Sequence, residues 1–336
     1  MAKSFKIRSF CVRQKIVLCV GLLLAVACTN TGARTTSATP AASGTDSVNT
    51  QTPTSPSFDG GAALLLAQEQ CNFGARVPGT DAHKQCAAWI GKQLGESCDT
   101  VITQHATVTT FDNNRLNITN FIGVINPQAE KRLLLLAHWD CRPWADNDPD
   151  ASLRKQPVMG ANDGASGVAA LLQLARELRK TGTKLGVDIL LTDAEDWGDS
   201  SDENSWALGT QYWVAHTHVP GYKPLFGILL DMVGAEGARF PKEMYSEYNA
   251  SGFLDLVWGC ADSPMFVDDH GGAVTDDHVF INQAGIPCID IIDLRAEGNF
   301  FPYWHTAADV PANLSADTFT AVGNTLLRVI ATLDPQ

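Results

Sequence analysis

The amino-acid sequence predicts a single α/β domain with a mostly parallel, twisted central sheet covered by helices on both faces. Two observations carry this expectation. Runs such as 133–137 and 187–191 are apolar without alternation, the pattern of strands buried on both sides. Between them lies an amphipathic helix over residues 167–180, with Val168, Leu171, Leu172, Ala175 and Leu178 along one face. Strands and helices that alternate in this way belong to layered α/β domains.

The chain divides into three parts. In residues 1–28, Lys3, Lys6, Arg8, Arg13 and Lys15 precede an apolar run, 16–27, too short to span a bilayer comfortably. This is the pattern of an export signal. Its end, Leu24-Ala25-Val26-Ala27-Cys28, resembles a bacterial lipobox, with Ala25 where Leu is usual, so Cys28 is the expected lipid anchor. Residues 29–57 are rich in Thr, Ser, Ala and Pro, cannot bury a core and read as a flexible tether. Residues 58–336 carry the catalytic domain. The formal net charge is −13, and loss of the five basic signal residues makes the exported chain more acidic still. Such a chain is a poor nucleic-acid binder. Export permits disulfides; Cys71, Cys86 and Cys98 lie close enough in sequence for one pair to staple the first helices.

Within the domain, helical patterns occupy 62–70 and 81–94, separated by a turn-rich loop, with Thr80 or Asp81 as the cap of the second. Strands follow at 106–110, 117–125 and 132–138, then the helix at 167–180. A strand at 187–192, a helix at 206–216, strands at 226–233 and 286–293 and a helix at 315–333 complete the domain.

In a sheet of this kind, ligands bind beyond the carboxyl ends of the strands, and there the polar residues of this chain collect. One strand runs into His138-Trp139-Asp140 and the next into Asp193-Ala194-Glu195-Asp196. A third ends in Asp231-Met232-Val233-Gly234, and the loop after the last strand reaches Phe300 and Trp304-His305-Thr306. Gly160-Ala161-Asn162-Asp163-Gly164-Ala165-Ser166-Gly167 opens the best helix. Each group has a plain structural reading alone: Asp163 as a helix cap, Asp231 as a partner of loop amides, His305 as a packed histidine, Asp276-Asp277-His278 as an acidic surface turn. Together at one edge, so many carboxylates repel unless a cation neutralises them. Histidine with carboxylates and no thiolate suits a catalytic zinc site. The glycine-rich turn is not a phosphate loop, because Asp163 sits at its centre and no Lys-Ser/Thr pair follows. Ser166 lacks the nucleophile-elbow pattern.

These motifs, in this order, resemble the zinc aminopeptidase superfamily and, within it, a bacterial branch of the animal-type glutaminyl cyclases. The resemblance runs from about residue 58 to 333. The narrower likeness rests on Trp304 directly before His305, on Phe300 four residues earlier and on Thr275-Asp276-Asp277-His278. It implies one zinc ion per chain held by Asp163, Asp196 and His305, with Glu195 as proton shuttle. It further implies a carboxylate network of Asp231 with Asp276 or the adjacent Asp277, and a pocket lined by Trp304 and Phe300. His138 matches a second-metal ligand of the aminopeptidases. Two positions depart from the pattern: Asp196 stands where relatives commonly have Glu, and Asp290 where animal cyclases carry His.

The implied reaction is acyl transfer within one substrate: N-terminal glutamine of a peptide or protein closes to pyroglutamate and releases ammonia. Two rivals are a two-zinc aminopeptidase and a non-catalytic binding module on the same fold; the second conflicts with the presence of Glu195 and all the ligand residues. The expected location is the periplasm or a membrane surface, outer or inner, through lipid rather than a spanning helix. Intact-mass analysis of membrane-extracted protein is expected to show diacylglyceryl addition at Cys28. A soluble mature chain that begins elsewhere with a free amino terminus would contradict that expectation.

Overall fold

The computed structural model describes residues 57–295 and 299–334. The expected signal, Cys28 and the tether up to residue 56 lie outside the described residues. Helices α1 (Gly60–Asn72) and α2 (Asp81–Ser97) come first, followed by strands β1 (Thr100–Thr109), β2 (Arg115–Ile125) and β3 (Arg132–His138). Next are α3 (Ala165–Thr181), β4 (Gly186–Thr192), α4 (Leu208–Ala215) and β5 (Gly227–Asp231). The chain ends with β6 (Phe240–Lys242), α5 (Met244–Cys260), β7 (Phe266–His270), α6 (Asp277–Gln283), β8 (Cys288–Ile292) and α7 (Ala316–Leu333).

Six strands form the central sheet in the order β1-β2-β4-β3-β5-β8. Strands β4, β3, β5 and β8 are mutually parallel, while β2 pairs antiparallel with both β1 and β4. Strand β2 alone therefore runs against the rest. The unbroken apolar runs have the predicted cause. In β3, Leu133, Leu135 and Ala137 pack into the larger core with α1, α3 and α7, whereas Leu134 and Leu136 pack into a second core with Trp213 of α4 and Ile281 of α6. With both faces covered, no position of such a strand tolerates a polar side chain without a partner.

Helix α3 is more deeply enclosed than its amphipathic pattern requires, for every residue from Ala165 to Ala175 is buried. Gly167 lets it lie directly on the sheet: a Cβ there would stand 2.3 Å from the Leu230 carbonyl oxygen and 2.8 Å from the Ala137 Cβ. The N-cap of α2 is Thr80, whose hydroxyl accepts from the His83 amide at 3.2 Å.

The structure corrects several expectations. Strand β1 begins at Thr100, six residues earlier than expected; its exposed polar residues alternate with half-buried ones at a sheet edge. Helix α5 was not expected, because Ser, Gly, Asn and Tyr crowd a thin buried stripe of Ser246, Ala250, Leu254 and Val257. The Asp276-Asp277-His278 segment is no surface turn: it opens α6 and all three side chains are buried. Cys71, Cys86 and Cys98 form no staple. They are buried free thiols that pack as small apolar groups, with burial pushing Cys86 and Cys98 up to about 12. Among the described residues, no helix is long and apolar enough to cross a membrane.

At the edge of the sheet opposite the strand ends that gather the acidic residues, Asp188 of β4 is fully buried. Arg132 grips it through two hydrogen bonds, 2.7 and 2.6 Å long, and the Tyr222 hydroxyl donates a third at 2.6 Å. Replacing Arg132 by Ala strands a buried carboxylate, so denaturant unfolding is expected to show a loss of about 3–5 kcal/mol. A change within about 0.5 kcal/mol, the range of an ordinary surface substitution, would mean that Asp188 does not depend on this partner.

Candidate functional site

The parallel strands deliver their ends to one edge of the sheet. His138 pairs in register with Thr192, and Asp231 with Ile292, so the loops after β3, β4, β5 and β8 start side by side. The loop after β4 turns sharply through Ala194, whose φ is 54°. Two buried carboxylates hold that turn. Asp193 accepts from the backbone amides of Thr119 and Ala194 at 2.7 and 2.8 Å and pairs with His83 at 2.9 Å. The His83 ring in turn stacks on Trp139 with centroids 4.2 Å apart. Asp140 accepts from the amide of Glu195 at 3.0 Å with one oxygen and from that of Asp196 at 3.2 Å with the other. Both side chains of the Glu195-Asp196 pair are thereby left free of the turn that carries them.

Asp196 reaches toward His305, with Oδ1 3.2 Å from its Nε2 and 3.2 Å from Nη1 of Arg142. Its other oxygen is buried without a hydrogen-bond partner. Asp163 sits in the glycine-rich turn, where the amides of Asn162 and Asp163 donate to Asp309 at 2.8 and 3.0 Å. Burial and the nearby Asp163 charge push Asp309 up to about 7. Gly164, at φ 99°, leaves no room for a side chain: a Cβ would meet the Asp140 carbonyl oxygen at 2.4 Å. Asp163 stands between two imidazoles, 3.1 Å from Nε2 of His138 and 3.6 Å from Nε2 of His305. His305 itself is left-handed at φ 56°, and its carbonyl accepts from the Asn147 amide at 3.1 Å.

Two trios of potential metal ligands result. In Asp163, Asp196 and His305, one ligand atom from each residue lies within 4.8 Å of the others, and the same holds for His138, Asp163 and Asp231. The first trio contains the predicted ligands. It offers oxygen and nitrogen donors without sulfur, and it contains the unpartnered buried oxygen of Asp196. That oxygen is costly unless a cation or proton meets it, so the residues present fit a zinc ion.

Beside this trio lies a pocket of about 230 Å³. Phe300 and Trp304 wall it, their rings 4.2 Å apart, and the Trp304 ring stacks on His305 at 3.9 Å. Glu195, Asp231 and Asp276 also face it, whereas Asp277 turns away to accept from the Thr192 hydroxyl at 2.8 Å. The structure thus separates the two adjacent aspartates. Burial, and then the charge of Asp276, raises Glu195 well above the ordinary carboxyl range. Burial raises Asp231 to about 6 even though His138 hydrogen-bonds to it, and Asp163 adds to the rise. Burial followed by Asp231 and Asp277 raises Asp276. Asp290 lies in β8 with both oxygens buried and without a hydrogen-bond partner, Oδ2 standing 3.8 Å from Nδ1 of His278, and it does not line the pocket.

The expected ligands Asp163, Asp196 and His305, the acids Glu195, Asp231 and Asp276 and the walls Phe300 and Trp304 lie around one pocket, but sequence reasoning missed the residues that hold them. Arg76, fully buried, donates to the carbonyls of Trp139, Met159 and Gly160 at 3.0, 2.9 and 2.6 Å and ties the β3 loop to the glycine-rich turn. Arg142, Asp309 and Trp206 were missed as well. Only Arg76 gave a signal, as a cation in a loop otherwise made of turn residues.

Parallel strands ending in carboxylates and imidazoles, with two ligand trios sharing Asp163, define a metal-dependent α/β enzyme. Residues 120–330 match the model of Peptidase family M28. The chain belongs to this family, whose members are zinc-dependent. Its fold is similar to that of glutaminyl cyclase from Bacteroides thetaiotaomicron, with a TM-score of 0.80 and 44% identity over 82% of this chain and 98% of that one. It is equally similar to a Zn-dependent exopeptidase from Parabacteroides distasonis, with a TM-score of 0.79 and 41% identity over 82% and 98%. The match to bovine glutaminyl-peptide cyclotransferase is 24% identical over 63% of this chain and 65% of that one. The chain therefore spans less than two thirds of the length of the curated relatives it matches first.

Because Asp140 uses both oxygens on two amides, Asp140→Asn turns an N–H toward one of them. Zinc affinity, measured by competition with a chelating dye, is expected to fall about 10- to 100-fold with the far-ultraviolet circular dichroism unchanged. Undiminished affinity would show that the β4 turn holds itself.

Proposed function

We propose that this protein is a zinc-dependent glutaminyl-peptide cyclotransferase acting on peptides or proteins with N-terminal glutamine. The observation that carries the reading is the pocket: Phe300 on Trp304 and Trp304 on His305 wall a cavity of about 230 Å³ that the ligand trio also lines. Its likeness to bacterial glutaminyl cyclases along nearly their whole length supports it.

In this reading Trp304 and Phe300 hold the glutamine side chain folded toward its own α-amine, which replaces a bimolecular encounter by a positioned one. Asp163, Asp196 and His305 would hold one zinc ion, which would supply polarisation of the side-chain amide carbonyl. The amine nitrogen bonds to the carbonyl carbon of the side-chain amide, Glu195 takes the amine proton and returns it to the amide nitrogen, and the bond between that carbon and the amide nitrogen breaks to release ammonia. A carboxylate raised toward neutrality suits both halves of that transfer. Asp231 and Asp276, buried beside it, share its negative charge and keep its proton affinity high.

The second ligand trio favours one rival, a two-zinc aminopeptidase using His138 and Asp231. We also infer that the chain is exported and held at a membrane surface, or released to the periplasm, through Cys28. The basic n-region, the apolar run and the small residues before Cys28 support this.

Incubating the protein with a Gln-initiated peptide decides between the chemistries. Mass spectrometry is expected to show loss of ammonia with no residue removed, from enzyme that holds close to one zinc per chain. Release of free glutamine by enzyme with two zinc ions would establish the peptidase instead. Glu195→Gln keeps the side-chain size but cannot accept a proton. It is expected to retain zinc and to cyclise at least about a hundredfold more slowly; near-normal turnover would move the proton transfer to Asp231 or Asp276.

A further inference from the structure

A second pocket of about 170 Å³ adjoins the first, and Ser200, Trp206, Trp304 and His305 belong to both. Nothing in the cyclisation itself uses it. We propose that it is the subsite for the side chain following the N-terminal glutamine, and that it takes a cationic one, Lys or Arg. The inference rests on the cyclotransferase reading.

Position comes first. Consecutive α-carbons are about 3.8 Å apart, so when one side chain fills the first pocket, the next emerges where the two pockets meet. The walls come second. Trp144 and Trp206 present indoles, and Phe111 meets Trp144 edge-on at 6.2 Å. These faces already attract a guanidinium: that of Arg142 lies 5.1 Å from the Trp144 centroid and 5.0 Å from that of Trp206.

Charge comes third. Arg142 is the only Lys or Arg lining either pocket, and Asp146 at 2.6 Å and Asp196 at 3.2 Å consume its charge. Asp199 and Glu203 stand at the rim. Asp199 accepts from the Ser201 amide at 2.8 Å and from its hydroxyl, which holds its carboxyl below the usual range and keeps it ionised. The shared mouth therefore combines aromatic faces with more carboxylates than Arg142, which also acts on Asp199, can offset. A Lys or Arg side chain lays its aliphatic stem on the rings and its charge by the rim. A Glu side chain meets repulsion there.

The test compares kcat/KM for peptides beginning Gln-Arg, Gln-Ala and Gln-Glu and otherwise identical, at low and high ionic strength. The expected order is Arg, Ala, Glu, with Arg over Glu by at least about tenfold at low salt and the gap compressed at high salt. In Asp199→Asn/Glu203→Gln, which keeps both side-chain shapes, the Arg-to-Glu ratio is expected to fall several-fold. Equal rates for the three peptides, or an unchanged ratio in the double variant, would overturn the subsite while leaving cyclisation of Gln-Ala intact. Failure to cyclise any of the three would overturn the cyclotransferase reading and the subsite with it.

Discussion

Everything at the carboxyl edge of the sheet depends on one constraint: too many carboxylates are buried in one place. Asp140, Asp163, Glu195, Asp196, Asp231 and Asp276 are all nearly or fully inaccessible, and among the described residues Arg142 is the arginine that bonds one of them, while Arg76 spends its donors on nearby carbonyls. Water cannot screen these charges and the protein offers few counterions, so the energy must be relieved in other ways. Three are visible. Backbone amides point at Asp140 and Asp309, the proton affinities of Glu195, Asp231 and Asp276 are raised, and the ligand trios bring together groups that could hold a metal. A site built this way binds a cation and moves protons for the same physical reason.

The backbone is bent to serve that arrangement. Ala194, Met232 and His305 are all left-handed at φ values of 54°, 51° and 56°, without the freedom of glycine. Each costs of order 1–3 kcal/mol and persists only where its surroundings enforce it. Here the enforcement is explicit. Asp193 and Asp140 grip the turn at Ala194, and Asn147 holds the His305 carbonyl. The Met232 side chain fills a small core with Ile292 and Phe301 beneath the pocket. Arg76 joins the loops from β3 and α3, so the metal trio is a property of several clamped loops rather than of any one strand.

How much of this was legible follows from what kinds of force leave a local trace. The parallel strands were legible because burial on both faces removes the alternation of polar residues, and α3 because one stripe of it is apolar over four turns. The ligands were legible because carboxylates and histidines recur just after apolar runs. Helix α5 was not, since its buried stripe includes Ser246 and Ala250 and its exposed positions mimic a loop. The surface-turn alternative for Asp276-Asp277-His278 failed for the converse reason. His278 pairs at 3.1 Å with Glu243, 35 positions earlier, and Asp277 accepts from Thr192, so partners distant in the chain meet the segment. Clamps such as Arg76, Arg142 and Asp309 act across long stretches of chain, and beyond the lone cation in the loop after α1 no local pattern marks a side chain whose partners are distant.

The same clamps explain how a shorter ligand works. By the resemblance to the cyclases Asp196 is expected to stand in place of a Glu, which would set its carboxylate one methylene further from a metal. A shorter arm in an unchanged backbone would leave its oxygens short of the other ligands. Yet its ligand atom lies within 4.8 Å of those of Asp163 and His305, and Oδ1 comes within 3.2 Å of the histidine nitrogen. Asp140 holds the Asp196 amide, and Arg142 bonds both its carbonyl and its carboxylate at 3.2 Å. Backbone and side chain are thus fixed together, with Oδ1 engaged and Oδ2 buried without a hydrogen-bond partner. Fewer rotatable bonds also mean less entropy lost on binding an ion. The turn that Asp140 and Arg142 hold thus places the Asp196 carboxylate beside Asp163 and His305 without any stretching of the side chain.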